Sequence, residues 1–83
     1  MYYVYFLRSE VDNNLYIGST NNLRRRLSEH NKGAVPSTKS RIPFTLRYYE
    51  AYYSESDARH RESSLKKDGK ALGQLKKRIY ESL

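Results

Sequence analysis

Residues 2–8, Tyr-Tyr-Val-Tyr-Phe-Leu-Arg, are apolar at both odd and even positions. A strand with one wet face alternates apolar and polar side chains. This run does not, so it reads as a central strand covered on both faces. The chain has 83 residues, the length of a single small domain, here residues 1–83. A chain of that size buries roughly 60% of its unfolded surface, so little can be wasted in covering that strand.

The rest of the chain supplies short elements. Asp12-Asn13-Asn14 are turn residues, and Leu15-Tyr16-Ile17 reads as a second strand, the hairpin partner of the first, ended by Gly18. Asn21 or Asn22 can cap a helix running from Leu23 to His30, with Gly33 where a closing glycine belongs. Residues 34–43 hold both prolines and read as a loop. Phe44 to Tyr53 is a third strand, with Leu46, Tyr48 and Tyr52 on one face and Tyr49, Ala51 and Tyr53 on the other. Ser54-Glu55-Ser56-Asp57 matches a capping box. The helix after it runs to about Lys67, with acids in its first turn and lysines in its last, as the helix dipole prefers. Gly69 is expected to stop it, and residues 70–82 form a last helix through Leu72, Leu75 and Ile79. The order β-β-α-β-α-α describes an α+β fold: a small, mostly antiparallel three-stranded sheet flanked by helices.

Composition narrows the function. Sixteen Lys and Arg stand against nine Asp and Glu, a formal net charge of +7. That excess on a small domain points to a polyanion partner, most often nucleic acid, rather than to solubility alone. No segment carries the amphipathic face that would bind a membrane surface, and neither a signal peptide nor a membrane-spanning stretch is expected. The absence of cysteine excludes disulfide staples, zinc fingers and a cysteine nucleophile. It fits a reducing compartment, and a cytoplasmic location is expected. Nine tyrosines with no tryptophan imply many hydroxyls that need partners or have work to do.

Polar groups also fall on the apolar stripes. A helix advances about 100° per residue, so with Leu23 at zero, Arg26 lies near −60°, Leu27 near +40° and His30 near −20°. Leu23 and Leu27 must face the sheet, and they carry Arg26 and His30 inward. Arg24 and Arg25 point to solvent. In the later helix, Ala58, Glu62 and Leu65 share a stripe in the same way, which turns a carboxylate inward. An unpaired buried charge costs several kcal/mol, so Glu62 needs a cation, from the protein or from a metal. One reading is an Arg26–Glu62 ion pair with His30 as a satisfied interior histidine. The other is a set of working groups. Arg suits a phosphate clamp. One Glu can anchor a hard divalent cation with waters and substrate oxygens. Tyr and His can hold or move a proton. Together they are parts for metal-assisted phosphodiester hydrolysis.

Tyr3-Val4-Tyr5 and Tyr16-Ile17-Gly18, followed by Asn-Leu-Arg-Arg-Arg-Leu-Ser-Glu-His at residues 22–30, resemble the GIY-YIG nuclease superfamily. The likeness is to its short stand-alone members, similar to the nuclease domain of the excision-repair subunit UvrC and of certain homing endonucleases, and it covers residues 2–68. The resemblance implies a three-stranded antiparallel sheet flanked by helices. It places the two motif tyrosines at Tyr5 and Tyr16, the helix arginine at Arg26, the following histidine at His30 and the metal-binding glutamate at Glu62. It implies an endonuclease that hydrolyses DNA phosphodiester bonds with Mg²⁺ or Mn²⁺, in DNA repair or processing. RNA stays open as a substrate, as does a protein partner for targeting.

Tyr3 replaces the first motif's glycine, and Gln74 is the only carboxamide after residue 60. These departures support a second reading, a non-catalytic nucleic-acid-binding domain. On either reading Arg24, Arg25, Lys39 and Arg41 are candidates to grip the nucleic-acid backbone. Tyr48, Tyr49, Tyr52 and Tyr53 are candidates either to stack on bases or to pack the sheet.

Overall fold

The computed structural model describes all residues, Met1–Leu83. Strands β1 (Tyr2–Ser9), β2 (Leu15–Thr20) and β3 (Phe44–Tyr52) form one sheet. β1 is in the middle, antiparallel to both neighbours. Three helices flank the sheet: α1 (Leu23–Asn31), α2 (Glu55–Lys67) and α3 (Gly69–Arg78). Single 3₁₀ turns cover Lys39–Arg41 and Tyr80–Ser82. This is the expected α+β architecture in the expected order. No helix is long and apolar enough to cross a membrane.

β1 is central for the reason its sequence suggests: Val4, Tyr5, Phe6 and Leu7 are all buried. Its even-numbered side chains, Val4 and Phe6, pack with Ala58, Leu65 and Leu75 of α2 and α3. Its odd-numbered ones, Tyr5 and Leu7, pack with Phe44 and with Leu23 and Leu27 of α1. Each face of the sheet thus carries its own core, and a residue's parity on a strand decides which one it joins.

Helix ends are set by side-chain caps. Asn22 accepts the Arg25 N–H through Oδ1 at 3.0 Å, and Ser54 Oγ accepts the Asp57 N–H at 3.4 Å. Gly33 takes the positive φ of 75° that closes the turn after α1. Asp68, not Gly69, separates the last two helices. Its backbone is extended, which ends α2, and its carboxylate accepts the Lys70 N–H at 3.0 Å, which starts α3. Gly69 is therefore the first residue of α3, and α3 stops at Arg78 instead of reaching residue 82.

Two strand expectations also need correction. Gly18 does not end β2. It pairs with Tyr5 inside the ladder, and the strand continues to Thr20. In β3, Phe6 pairs with Tyr48 but Leu7 pairs with Leu46, leaving Arg47 as the extra residue of a bulge. The bulge changes parity, so Leu46 joins the α1 side while Tyr48 and Tyr52 join the α2 side. Leu46 does not share a face with the two tyrosines.

Candidate active site

The odd face of the sheet assembles most of the polar groups. Tyr5 from β1, Tyr16 from β2 and His30 from α1 lie together: the His30 ring is 5.0 Å from the Tyr16 ring and 6.0 Å from the Tyr5 ring, centroid to centroid. Tyr5 Oη is 3.0 Å from His30 Nε2, and His30 Nδ1 is 2.8 Å from Thr38 Oγ1. The Thr38 hydroxyl donates to the Val35 carbonyl at 3.4 Å, which leaves its lone pairs to accept an Nδ1–H. His30 Nε2 is then the acceptor, and the Tyr5 hydroxyl donates to it. His30 is fully buried. Burial, helped by the Arg26 charge, holds its pKa below the ordinary histidine value, so the ring is neutral at pH 7.

Arg26 lies beside this relay. Its guanidinium is near enough to the Tyr5 hydroxyl to oppose the rise of that phenol's pKa, and its one side-chain hydrogen bond goes to Glu29 Oε1 at 3.1 Å. Burial raises the Tyr5 pKa more than Arg26 lowers it, so Tyr5 remains a phenol at neutral pH. The Arg26 side chain keeps 34% of its surface exposed and lines a cleft of about 270 Å³ together with Ser19, Thr20, Arg25, Glu29 and Arg59. The Arg26–Glu62 ion pair weighed from the sequence is not formed, because Glu29, one turn along the same helix, takes Arg26 instead.

Glu62 sits on the even face, at the edge of the sheet beside β2. Ser19 is also on that face, by parity, and its hydroxyl donates to Glu62 Oε1 at 2.7 Å. The Lys66 ammonium donates to Oε2 at 2.7 Å. Burial pushes the Glu62 pKa up, but Lys66 and Ser19 outweigh it and bring it below the usual carboxylate value. Glu62 is therefore ionised at neutral pH. Lys66 also reaches round the edge strand, 6.0 Å from the Tyr16 ring centroid, and so connects the two faces.

No group of three or more His, Cys, Asp or Glu side chains is assembled anywhere in the chain. A metal at Glu62 would have one protein carboxylate, with water and phosphate oxygens as its other ligands. That donor set fits a hard cation such as Mg²⁺, which keeps several waters, and does not fit zinc.

A model of the GIY-YIG catalytic domain matches residues 1–79. The chain belongs to the GIY-YIG family. UPF0213 proteins are among its relatives. One from Clostridium perfringens is 41% identical over 68 residues, spanning 81% of this chain and 72% of the relative. One from Halobacterium salinarum is 38% identical over 72 residues, spanning 86% and 92%. The solution NMR structure of a UPF0213 protein from Bacillus halodurans superposes with a TM-score of 0.55 at 32% identity, covering 99% of this chain and 93% of that one. The family is one of nucleases that act on nucleic acid and in general use divalent metals.

Within this GIY-YIG domain, Tyr5, Tyr16, Arg26 and His30 come together on one face, and Glu62 approaches round the β2 edge. Arg24 and Arg25 are exposed, and Arg25 lines the cleft. Lys39 and Arg41 lie away from it. Arg41 is committed to Asp12, at 2.6 and 3.3 Å, and to the carbonyl of Asn14 at 3.2 Å. Its guanidinium holds the Asp12 carboxyl down to about 2. It clasps the β1–β2 turn and is no free backbone grip. Ser19, Thr38 and Lys66 escape a reading by sequence. Only Lys66 leaves a signal there, its spacing four residues beyond Glu62 on one helix face.

Proposed function

We propose that this GIY-YIG domain is a metal-dependent endonuclease that hydrolyses DNA phosphodiester bonds in DNA repair or processing. The observation that carries this reading is the gathering of Tyr5, Tyr16 and His30 on one face beside Arg26, with Tyr5 Oη 3.0 Å from His30 Nε2 and His30 Nδ1 2.8 Å from Thr38 Oγ1. A buried hydrogen-bonded chain of Thr38, His30 and Tyr5 set beside a partly exposed guanidinium is a costly way to stabilise a fold. It is an effective way to aim a permanent cation at a phosphate.

The roles follow from exposure and charge. Arg26 binds the scissile phosphate and stabilises the negative charge that builds on its oxygens. Tyr5 stays protonated and buried, so it acts as a positioning group for Arg26, with His30 and Thr38 behind it. Tyr16 is half-buried beside the Lys66 ammonium; having first released its own proton to solvent, it accepts the proton of the attacking water as a phenolate. Glu62, fixed by Ser19, would hold a Mg²⁺ or Mn²⁺ ion. Bound there, such an ion supplies positive charge for the leaving 3′ oxygen. Lys66, which donates to Glu62 Oε2, would have to release that oxygen for such an ion. Arg25 and Arg59 extend the positive lining of the cleft along the nucleic-acid backbone.

The test is cleavage of labelled duplex, single-stranded and branched DNA with Mg²⁺ or Mn²⁺, beside EDTA controls. Cutting of at least one substrate that EDTA stops supports the reading. Salt-sensitive binding without cutting on every substrate overturns it in favour of a non-catalytic nucleic-acid-binding domain.

A further inference from the structure

The fold sorts the tyrosines of β3 into two kinds. Tyr48 and Tyr52 are on the even face, and both donate to Glu50 at 2.6 Å. They are bound within the molecule. Tyr49 is on the odd face and 52% exposed. It pairs with Tyr5 across the ladder, and its ring meets Tyr3 edge-on at 5.9 Å. Tyr3 in turn pairs with Thr20 on one side and Ala51 on the other.

These residues form one surface. In antiparallel pairs, partners share a face, so Thr20, Tyr3, Ala51 and Tyr49 lie side by side on the α1 side of the sheet. α1 covers only the other end of that face, where Leu7 and Phe44 pack. Ala51 and Tyr49 are exposed. The uncovered end is an aromatic patch that starts at Tyr49, opposite Tyr5, and runs two ladder positions on to Tyr3 and Ala51. Thr20 also lines the cleft that holds Arg26 and Arg25, so the patch and the cationic cleft are continuous.

We propose that Tyr49, supported by Tyr3, is a stacking platform for an unpaired nucleobase next to the phosphate held by Arg26. The substrate class is then a nucleic acid with a single-stranded segment at the cut. This rests on the nuclease reading for the role of Arg26, but its recognition step is separable. An exposed ring on a sheet presents its face to a base, and any base offers a π-face in return. In an uninterrupted duplex those faces are covered by neighbouring bases, and exposing one costs a few kcal/mol. The cations beside the patch supply the backbone contacts that such stacking needs. Tyr3, which stands in place of the first motif's glycine, gains a use here as the edge-on support that fixes the Tyr49 ring.

The test is binding by fluorescence anisotropy in EDTA, where no metal-dependent cutting occurs. The probes are a short single-stranded oligothymidylate, the same strand with abasic sites, and a hairpin duplex. Tyr49→Ala is expected to weaken single-strand binding about ten-fold and to leave duplex binding unchanged. Tyr49→Phe keeps the ring and should bind as the wild type does. The abasic strand should bind the wild type and Tyr49→Ala equally. Equal losses on single strand and duplex, or no loss on either, would overturn the platform and leave the patch to a protein partner. Thermal melting of Tyr49→Ala should match the wild type, since the ring is exposed. A wild type that cuts no substrate yet shows this binding pattern would sink the nuclease reading alone.

Discussion

Gly18 pairs with Tyr5, and a methyl group at Gly18 would sit 2.5 Å from Tyr5 Oη and 2.6 Å from Cζ. The ring cannot swing away cheaply, because it is buried and its hydroxyl is held by His30. Gly18→Ala should therefore displace the relay, cost about 1–3 kcal/mol, and lower cleavage with it. Gly73 in α3 has open space around it, so Gly73→Ala should stabilise by about 0.5–1 kcal/mol. Melting curves of the two variants should move in opposite directions. His30 gives a second prediction. Its folded pKa lies below the ordinary 6.5, so the unfolded chain binds the proton first as pH falls. Its contribution is complete above about pH 6.5 and is lost below it. The melting temperature should drop as pH falls through 6.5, and His30→Gln should flatten that slope. The inward turn of Arg26, His30 and Glu62 was legible because a helix repeats at a fixed angle. Their partners were not. Thr38 comes from a loop with no period, and Ser19 meets Glu62 across 43 residues of chain.

β3 is joined to α2 by a polar knot that parallels the site without belonging to it. Glu50 accepts from Tyr48 and Tyr52, and from Arg61 Nε at 2.8 Å and an Arg61 terminal nitrogen at 3.1 Å. Burial would raise the Glu50 pKa, but Arg61 and the two phenols bring it down to about 2. Burial and the carboxylate push both tyrosines up to about 12. The folded carboxyl is thus more acidic than the unfolded one, at 4.5. Its stabilisation, roughly 3 kcal/mol by linkage, is present above pH 4.5 and lost between 4.5 and 2. Glu50→Ala should remove that acid transition and cost about 2–3 kcal/mol, because Arg61 loses its partner. Urea unfolding at neutral and acid pH measures both effects. The strands and helices themselves were legible from apolar periodicity and caps. The bulge at Arg47 was not, since a pattern of alternating side chains gives no sign of one inserted residue. That residue changes which face Leu46, Tyr48 and Glu50 occupy.

The net charge of +7 is partly spent within the molecule. Arg41, Arg61 and Arg59 pair with Asp12, Glu50 and Glu55, while Arg25 and Arg59 still line the cleft. Nucleic-acid binding should weaken with salt, with a slope of about −0.7 per phosphate neutralised on a single strand. Arg25→Ala should shallow that slope by about one contact. Arg41→Ala should leave the slope alone and lower the melting temperature, because Arg41 clasps the β1–β2 turn. The role proposed for Glu62 is in chemistry and not in packing. It is tested most directly by single-turnover cleavage of labelled DNA with Mg²⁺, comparing wild type with Glu62→Ala at matched thermal stability. Wild type is expected to cut, EDTA to stop it, and Glu62→Ala to lose at least about 100-fold while melting like the wild type. Cutting by Glu62→Ala at the wild-type rate would contradict that role.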